Sequence, residues 1–318
     1  MNNILICPHC QKDNLYEKNN SLICKSCQAS YSSDSNILKM YIEDNKYTDE
    51  VKSFYETTPF PKYNDIDNCE SLIKRASESK FAMSLNEQLD TGIRILEAGC
   101  GTGQMSLYLS LNNRTVYGTD MSMDSLNLAQ EFKELHHINT AHFMQMNIFH
   151  PIFKKESFDV LISNGVLHHT HSPYKAFQQL LPLVKKNGLV IIGLYHKYGR
   201  LWTDFRRQLF QFSDQFLFLD EVLNDPNISE EKKQSWHNDQ YKNKHEMKHT
   251  IIEVMDWFKN NHCSVLKVLP DPTFRDEYPS LFFPRNYNRK EIQFTEKLMT
   301  LTNTKEGGFF TVIGRKEF

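Results

Sequence analysis

The stretch from Arg94 to Asp120 confines the chain to one fold class. Arg94 to Ala98 is an apolar run of strand length, Gly99-Cys100-Gly101-Thr102-Gly103 is a glycine-rich turn, and Gln104 to Leu111 has helical spacing. Thr115 to Thr119 is a second strand ending at Asp120, and Ser122 is placed to cap a helix running to Leu135. Further strands follow at His142 to Met146, Phe158 to Ser163 and Leu189 to Tyr195, with a helix from Ser172 to Lys185 stopped by Asn187-Gly188. Ser264 to Leu269 and Phe309 to Gly314 are two closing strands. Strands that alternate with helices pack as a mostly parallel sheet with ligands at the carboxyl ends of the strands. The expectation is an α/β, doubly wound, Rossmann-like sheet of seven strands.

The glycine turn narrows the ligand. A G-x-G-x-x-G fingerprint starting at Gly99 fails at Gln104, and one starting at Gly101 fails at Ser106. No G-x-x-x-x-G-K-[ST] loop is present. Glu97, two positions before the first glycine, suits a cationic, amino-bearing ligand better than a pyrophosphate. Asp120 lies 17 residues past Gly103 at the end of the second strand, where a carboxylate can accept from ribose hydroxyls.

Four blocks now form a pattern: Glu97-x-Gly99-x-Gly101-x-Gly103, Val116-Tyr117-Gly118-Thr119-Asp120, Asn147-Ile148, and Ser163-Asn164-Gly165-Val166-Leu167-His168-His169. In order and spacing they resemble the class I S-adenosylmethionine-dependent methyltransferases of the type grouped with the ubiquinone-pathway enzymes, over residues 94 to 196. The resemblance implies that Glu97 and the backbone of Gly99, Gly101 and Gly103 hold the methionine end and sulfonium, and that Asp120 holds the ribose. It also implies that Met121 and Ile148 flank the adenine and that Asn164 joins the cofactor set. Asn147 stands where the family usually has Asp for the adenine amino group, and its side-chain carbonyl can accept the same bond. Methyl transfer from a sulfonium is an in-line displacement, so alignment and desolvation do most of the work and a base is optional. Candidate bases past the fourth and fifth strands are His168, His169, His171, Tyr195 and His196, of which His169, Tyr195 and His196 form the expected catalytic set. The alternative for His168-His169 is that they shape the cofactor pocket.

Cys7-Pro8-His9-Cys10 and Cys24-Lys25-Ser26-Cys27 are two CxxC pairs separated by thirteen residues. Two such knuckles complete a tetrahedral S4 site, and zinc fits a structural site of that kind. A ribbon over residues 1–32 is too small to bury its own core, so the metal would supply folding free energy. Residues 28–46 are polar and read as a linker. Thr48 then caps a helix from Asp49 to Glu56, and Ser71 to Leu89 reads as one helix; together, residues 33–90 form a linker and helical arm. Phe54, Tyr55, Phe60 and Tyr63 are either packing residues or part of a lid over the ligand.

Residues 91–318 would then be the methyltransferase domain. Insertions at about 197–261 and 270–307 interrupt it and are the expected acceptor cap. The first is aromatic-rich, with Trp202, Phe205, Phe210, Phe212, Phe216 and Phe218, which equally suits a helical core or a face for a homodimer. Lys197 to His249 carries nine Lys/Arg and nine Asp/Glu, so no basic stripe awaits a phosphate backbone. His245-Glu246-Met247-Lys248-His249 matches H-E-x-x-H, but Thr250-Ile251-Ile252-Glu253 is a capping box that starts a helix after the motif, so the two histidines do not share a helix face.

The whole chain of 318 residues holds 37 Lys+Arg against 39 Asp+Glu, a balance unlike that of a dedicated nucleic-acid binder. Its longest apolar run, Gly188 to Tyr195, is too short to span a membrane, no signal peptide is visible, and seven cysteines do not make a disulfide framework. The expected protein is a cytoplasmic S-adenosylmethionine-dependent methyltransferase with a structural zinc ribbon, acting on a small-molecule acceptor. Its rivals are an RNA methyltransferase whose ribbon docks the RNA, and a non-catalytic binding protein that recruits a partner through the ribbon.

Overall fold

The computed structural model describes residues 2–61, 63, 65–226, 228–242, 246–272, 280–298 and 308–318. Among them are eleven strands: β1 (Leu15–Lys18), β2 (Ser21–Cys24), β3 (Ser30–Asp34), β4 (Ile37–Lys39), β5 (Arg94–Ala98), β6 (Thr115–Asp120), β7 (Ala141–Gln145), β8 (Phe158–Asn164), β9 (Val184–Tyr195), β10 (Cys263–Leu269) and β11 (Phe309–Lys316). The seven strands read from the sequence run in the order β7-β6-β5-β8-β9-β11-β10. Pairing is parallel from β7 to β9, and β11 runs antiparallel to both neighbours. The strand order reverses between β5 and β8, which is where an open α/β sheet binds its ligand. The expected Rossmann-like fold is borne out.

The sheet does not end at β7. β4 pairs in parallel with it, Leu38 opposite Met144, and β3, β2 and β1 continue antiparallel from there. Residues 28–46, read as a linker, thus contain two strands. Their hairpin turns at Ser35 and Asn36, both with positive φ, and its polar exposed face hid the alternation. Ile6 N–H donates to the Ile152 carbonyl at 2.8 Å and Lys154 N–H to that of Ile4 at 2.8 Å, so the ribbon is fastened at a second point. Leu5, Leu22 and Tyr31 are buried in the same core as Tyr117, Phe153 and Phe158.

Three helix boundaries differ from the expectation. The first arm helix is Lys46–Thr57, capped by Asn45 rather than Thr48: Asn45 Oδ1 accepts the Thr48 N–H at 3.0 Å. The single helix expected over 71–89 is two, Cys69–Ser77 and Lys80–Gln88, because Ser79 takes the N-cap role mid-segment and accepts from Ala82 N–H. The helix expected to reach Lys185 is Pro173–Leu180, ended by the missing N–H of Pro182, and Asn187 (φ 62°) lies inside β9 where its register with β8 shifts. The capping box at Thr250 and Glu253 does start the helix Ile251–Asn260.

Candidate active site

A cavity of about 490 Å³ opens at the carboxyl ends of β5, β6, β8 and β9. Its volume is that of a cofactor-sized pocket. Glu97 and the turn after β5 form its floor. Gly99 has φ 79°, and any Cβ there would collide with Val166; Gly101 has φ 51° and packs against the backbone of Phe60. Thr119 O accepts the N–H groups of both Gly99 (2.7 Å) and Cys100 (3.0 Å), which ties the turn to β6.

Asp120 joins three elements. Its Oδ2 accepts from Gly101 N–H and its Oδ1 from Ser122 N–H, both at 2.9 Å, so the carboxylate holds the glycine turn and the start of the helix Met123–Leu135 in one register. Burial pushes its pKa above the ordinary aspartate value, opposed by these backbone bonds. Glu97, 7% exposed, accepts from the Ser106 hydroxyl; burial pushes its carboxyl up to about 7. Two carboxylates on one cavity floor, Glu97 buried and Asp120 partly buried, suit a cationic, hydroxyl-bearing group. Met121, Met146 and Ile148 form an apolar wall beyond Asp120.

Nine of the residues expected from the sequence line this cavity: Glu97, Gly99, Gly101, Asp120, Met121, Ile148, Asn164, His169 and Tyr195. Three do not. Gly103 (φ 75°) starts the helix Gln104–Ser110, and a Cβ there would meet Ala129 and Phe143 at 2.7 Å; its role is helix–sheet packing. Asn147 spends its amide on the chain itself, donating to Ile42 O at 2.8 Å and accepting from Phe149 N–H at 3.0 Å. His196 follows Tyr195 on an extended strand, so the two side chains face opposite ways. It is wholly buried, its Nδ1 accepting from Gly199 N–H at 3.2 Å and its Nε2 lying 3.4 Å from Glu296. Of the other histidines considered, His168 is buried behind Tyr195, and His171 stacks on Phe149 at 4.1 Å.

The remaining wall comes from the arm. Val51, Tyr55, Phe60, Leu72 and Arg75 line the cavity, and none of the described residues between 196 and 308 does. The inserted segments were expected to be the acceptor cap; among the described residues it is the arm that lines the site. It is held down by Tyr63, whose hydroxyl donates to Thr102 O at 2.7 Å, by Gln104, whose amide donates to Pro61 O at 3.3 Å, and by Ser122, whose hydroxyl donates to Tyr55 O at 3.2 Å. The signal available in the sequence was the cluster of aromatics at 54–63 in otherwise polar surroundings.

The H-E-x-x-H look-alike is not helical where it is described. Residues 246–248 are irregular, His249 bridges to His196, and His245 lies outside the described residues. In the ribbon, the four thiols of Cys7, Cys10, Cys24 and Cys27 lie within 4.8 Å of one another. Sγ of Cys7 is 3.5 Å from that of Cys27, and Sγ of Cys10 is 3.5 Å from that of Cys24. Metal–sulfur bonds of ~2.3 Å in a tetrahedron require sulfur separations of ~3.8 Å, so this donor set fits one zinc-sized ion.

Residues 89–262, more than half of the chain, match the family model described as a methyltransferase domain. The chain belongs to the methyltransferase domain family. The resemblance to the class I S-adenosylmethionine-dependent methyltransferases is borne out at the level of family and fold. This methyltransferase domain is 28% identical over 116 residues to the ubiquinone biosynthesis O-methyltransferase of Glaesserella parasuis, covering 35% of this chain and 49% of that one. It is 29% identical over 106 residues to the tRNA U34 carboxymethyltransferase of Idiomarina loihiensis, covering 32% of each chain. The chain therefore spans about half the length, or less, of these relatives. Among solved structures it superposes on the magnesium protoporphyrin IX methyltransferase of Synechocystis PCC 6803, with bound SAH, at a TM-score of 0.51 and 16% identity, over 85% of this chain and 99% of that one. At that identity the likeness is one of fold.

Proposed function

We propose that the protein transfers a methyl group from S-adenosylmethionine to a small-molecule acceptor. The observation that carries this reading is the pair of carboxylates lining the cavity, Glu97 and Asp120, flanking a glycine turn at the strand-order reversal. When bound, the cofactor supplies an electrophilic methyl group and leaves as a neutral thioether. Glu97 would hold its ammonium end, Asp120 its ribose hydroxyls, and Met121 with Ile148 the faces of its adenine. The arm would exclude water from the bound cofactor. The acceptor would occupy the part of the cavity lined by Tyr55, Phe60, His169, Tyr195 and Phe309, whose rings suit a planar or apolar molecule.

The ribbon would hold one structural zinc. Because β4 and residues 4–6 fasten it to the sheet edge, the metal would stabilise that edge as well as the ribbon. Among the described residues no helix is long and apolar enough to cross a membrane.

The tRNA-directed relative favours a second reading, an RNA acceptor docked by the ribbon; the balanced charge of the chain favours the first. Labelled-methyl transfer in a cell lysate, split into RNA, protein and small-molecule fractions, decides between them. Label is expected in the small-molecule fraction, and label confined to RNA would replace the first reading by the second.

A further inference from the structure

Tyr195 ends β9 and contributes its ring to the cavity wall, while none of the described residues of the inserted segment that follows lines the cavity. What that segment does contribute is a buried polar cluster directly behind the ring. The Arg200 guanidinium carbon lies 3.9 Å from the Tyr195 ring centroid, and Arg200 is wholly buried. Its Nε donates to Glu246 Oε1 at 3.0 Å, its Nη2 to Glu246 Oε2, and its Nη1 to Gln240 Oε1. The same Gln240 amide donates from Nε2 to the Tyr195 hydroxyl oxygen at 2.9 Å. Main-chain bonds close the arrangement: His249 N–H to Tyr195 O at 3.1 Å, Lys197 N–H to His249 O at 2.9 Å, and Met247 N–H to His168 O at 2.8 Å.

Stability alone is a weak reason for such a cluster, since apolar residues usually fill a core as well as a buried ion pair does. Among the described residues Arg200, Arg207 and Lys248 face Glu246 and Asp204 within 4 Å, and the cation in contact with Tyr195 is Arg200. Among the described residues, the ring's other titratable neighbours include His168 at 4.4 Å and His169 at 6.5 Å, with His249 joined through the backbone; Phe309 is a neutral neighbour. Burial holds His168 well below the ordinary histidine pKa, so it is neutral. A guanidinium on the face of a phenol and an amide N–H on its oxygen both favour negative charge on that oxygen.

We infer that Arg200, braced by Glu246 and Gln240, is a positioning residue for methyl transfer: it fixes Tyr195 in the cavity wall and stabilises its phenolate, so that Tyr195 takes the proton the acceptor gives up. The inference rests on the proposed methyl-transfer reading of the cavity. The acceptor's O–H or N–H bond breaks, its electron pair stays on the acceptor atom and forms the bond to the incoming methyl group, and the proton makes the O–H bond of Tyr195. The phenol then returns its proton to solvent.

The test is an ultraviolet difference titration of the full chain against Tyr195→Phe, with no acceptor present. A phenolate midpoint at least one pH unit below the ordinary value of ~10 is expected. In the charge-neutral double variant Arg200→Met with Glu246→Gln, the midpoint should rise by one unit or more, a tenfold change in proton affinity, while the cofactor Kd stays within threefold. Gln240→Leu, which keeps both charges, should raise the midpoint about threefold in proton affinity and serves if the double variant does not fold. A wild-type midpoint at or above ~10, or a midpoint unmoved by whichever variant folds, overturns the inference. Absence of S-adenosylmethionine binding in calorimetry would instead defeat the reading of the cavity, and the titration is independent of it.

Discussion

The carbonyl oxygen of Phe60 packs on Gly101 more closely than any Cβ would allow. The arm and the glycine turn are therefore fitted to each other through backbone atoms, and one residue serves both the turn's positive φ and the closure of the site.

Gly101→Ala adds left-handed strain of about 1 kcal/mol and drives a methyl group into that carbonyl. The arm must lift, and the Kd for S-adenosylmethionine should rise at least tenfold in calorimetry; Gly101→Arg should abolish binding. A Kd within twofold for the alanine variant would show that the arm does not close on the turn. Binding of NADH in place of S-adenosylmethionine would reject the cofactor.

Glu97 sets a pH dependence. Its pKa of about 7 in the ligand-free protein means that a cationic ligand must displace a proton below pH 7. Cofactor affinity should therefore be flat above pH 8 and fall toward tenfold per unit below pH 6, and Glu97→Gln should bind weakly with no such slope. The sign for stability is opposite to that of a paired carboxylate. With the folded pKa above the unfolded one, the contribution is present at pH 4 and lost as the pH rises through 7. Ligand-free Glu97→Gln should thus melt higher than wild type at pH 8 and close to it at pH 5. Equal melting at pH 8 would contradict the burial argument.

Metal analysis of the purified chain should find one zinc per molecule, and Cys24→Ser should release it. Because the ribbon shares a core with β7, the loss should also lower the main thermal transition. A folded, metal-free ribbon would refute the site.

Arg114 is 2% exposed and donates to the carbonyls of Asn86, Leu89, Asp90 and Leu109 and to the Asn86 side chain, closing the end of the helix Lys80–Gln88. Arg114→Met leaves those carbonyls without their donor and should destabilise by roughly 3 kcal/mol, a drop of about 6–9 °C in Tm. A change under 2 °C would mean that other donors or water replace the guanidinium.

Much of the site was legible because its determinants are local. Positive φ at Gly99 and Gly101 demands glycine, a carboxylate at the end of β6 lies beside the turn in any parallel sheet, and two CxxC knuckles name their own chemistry. Asn147 shows what spacing could not reveal: its position matches that of an adenine contact, and in the fold its amide donates to Ile42 O and accepts from Phe149 N–H, the first more than a hundred residues away in sequence. The strands at 30–39 were missed for a related reason, since edge strands with one polar face carry little periodicity.

By itself the sequence determined the strand–helix alternation, the glycine turn and the thiol set, all of which follow from dihedral preference and short-range spacing. Tertiary structure decided which distant segment closes the cavity. Among the described residues it set the arm with Tyr55 and Phe60, rather than the aromatic insertion, in the cavity wall, and Tyr195 rather than His196. Those outcomes depend on which face of a strand turns inward and on which surfaces bury each other, and long-range packing sets both.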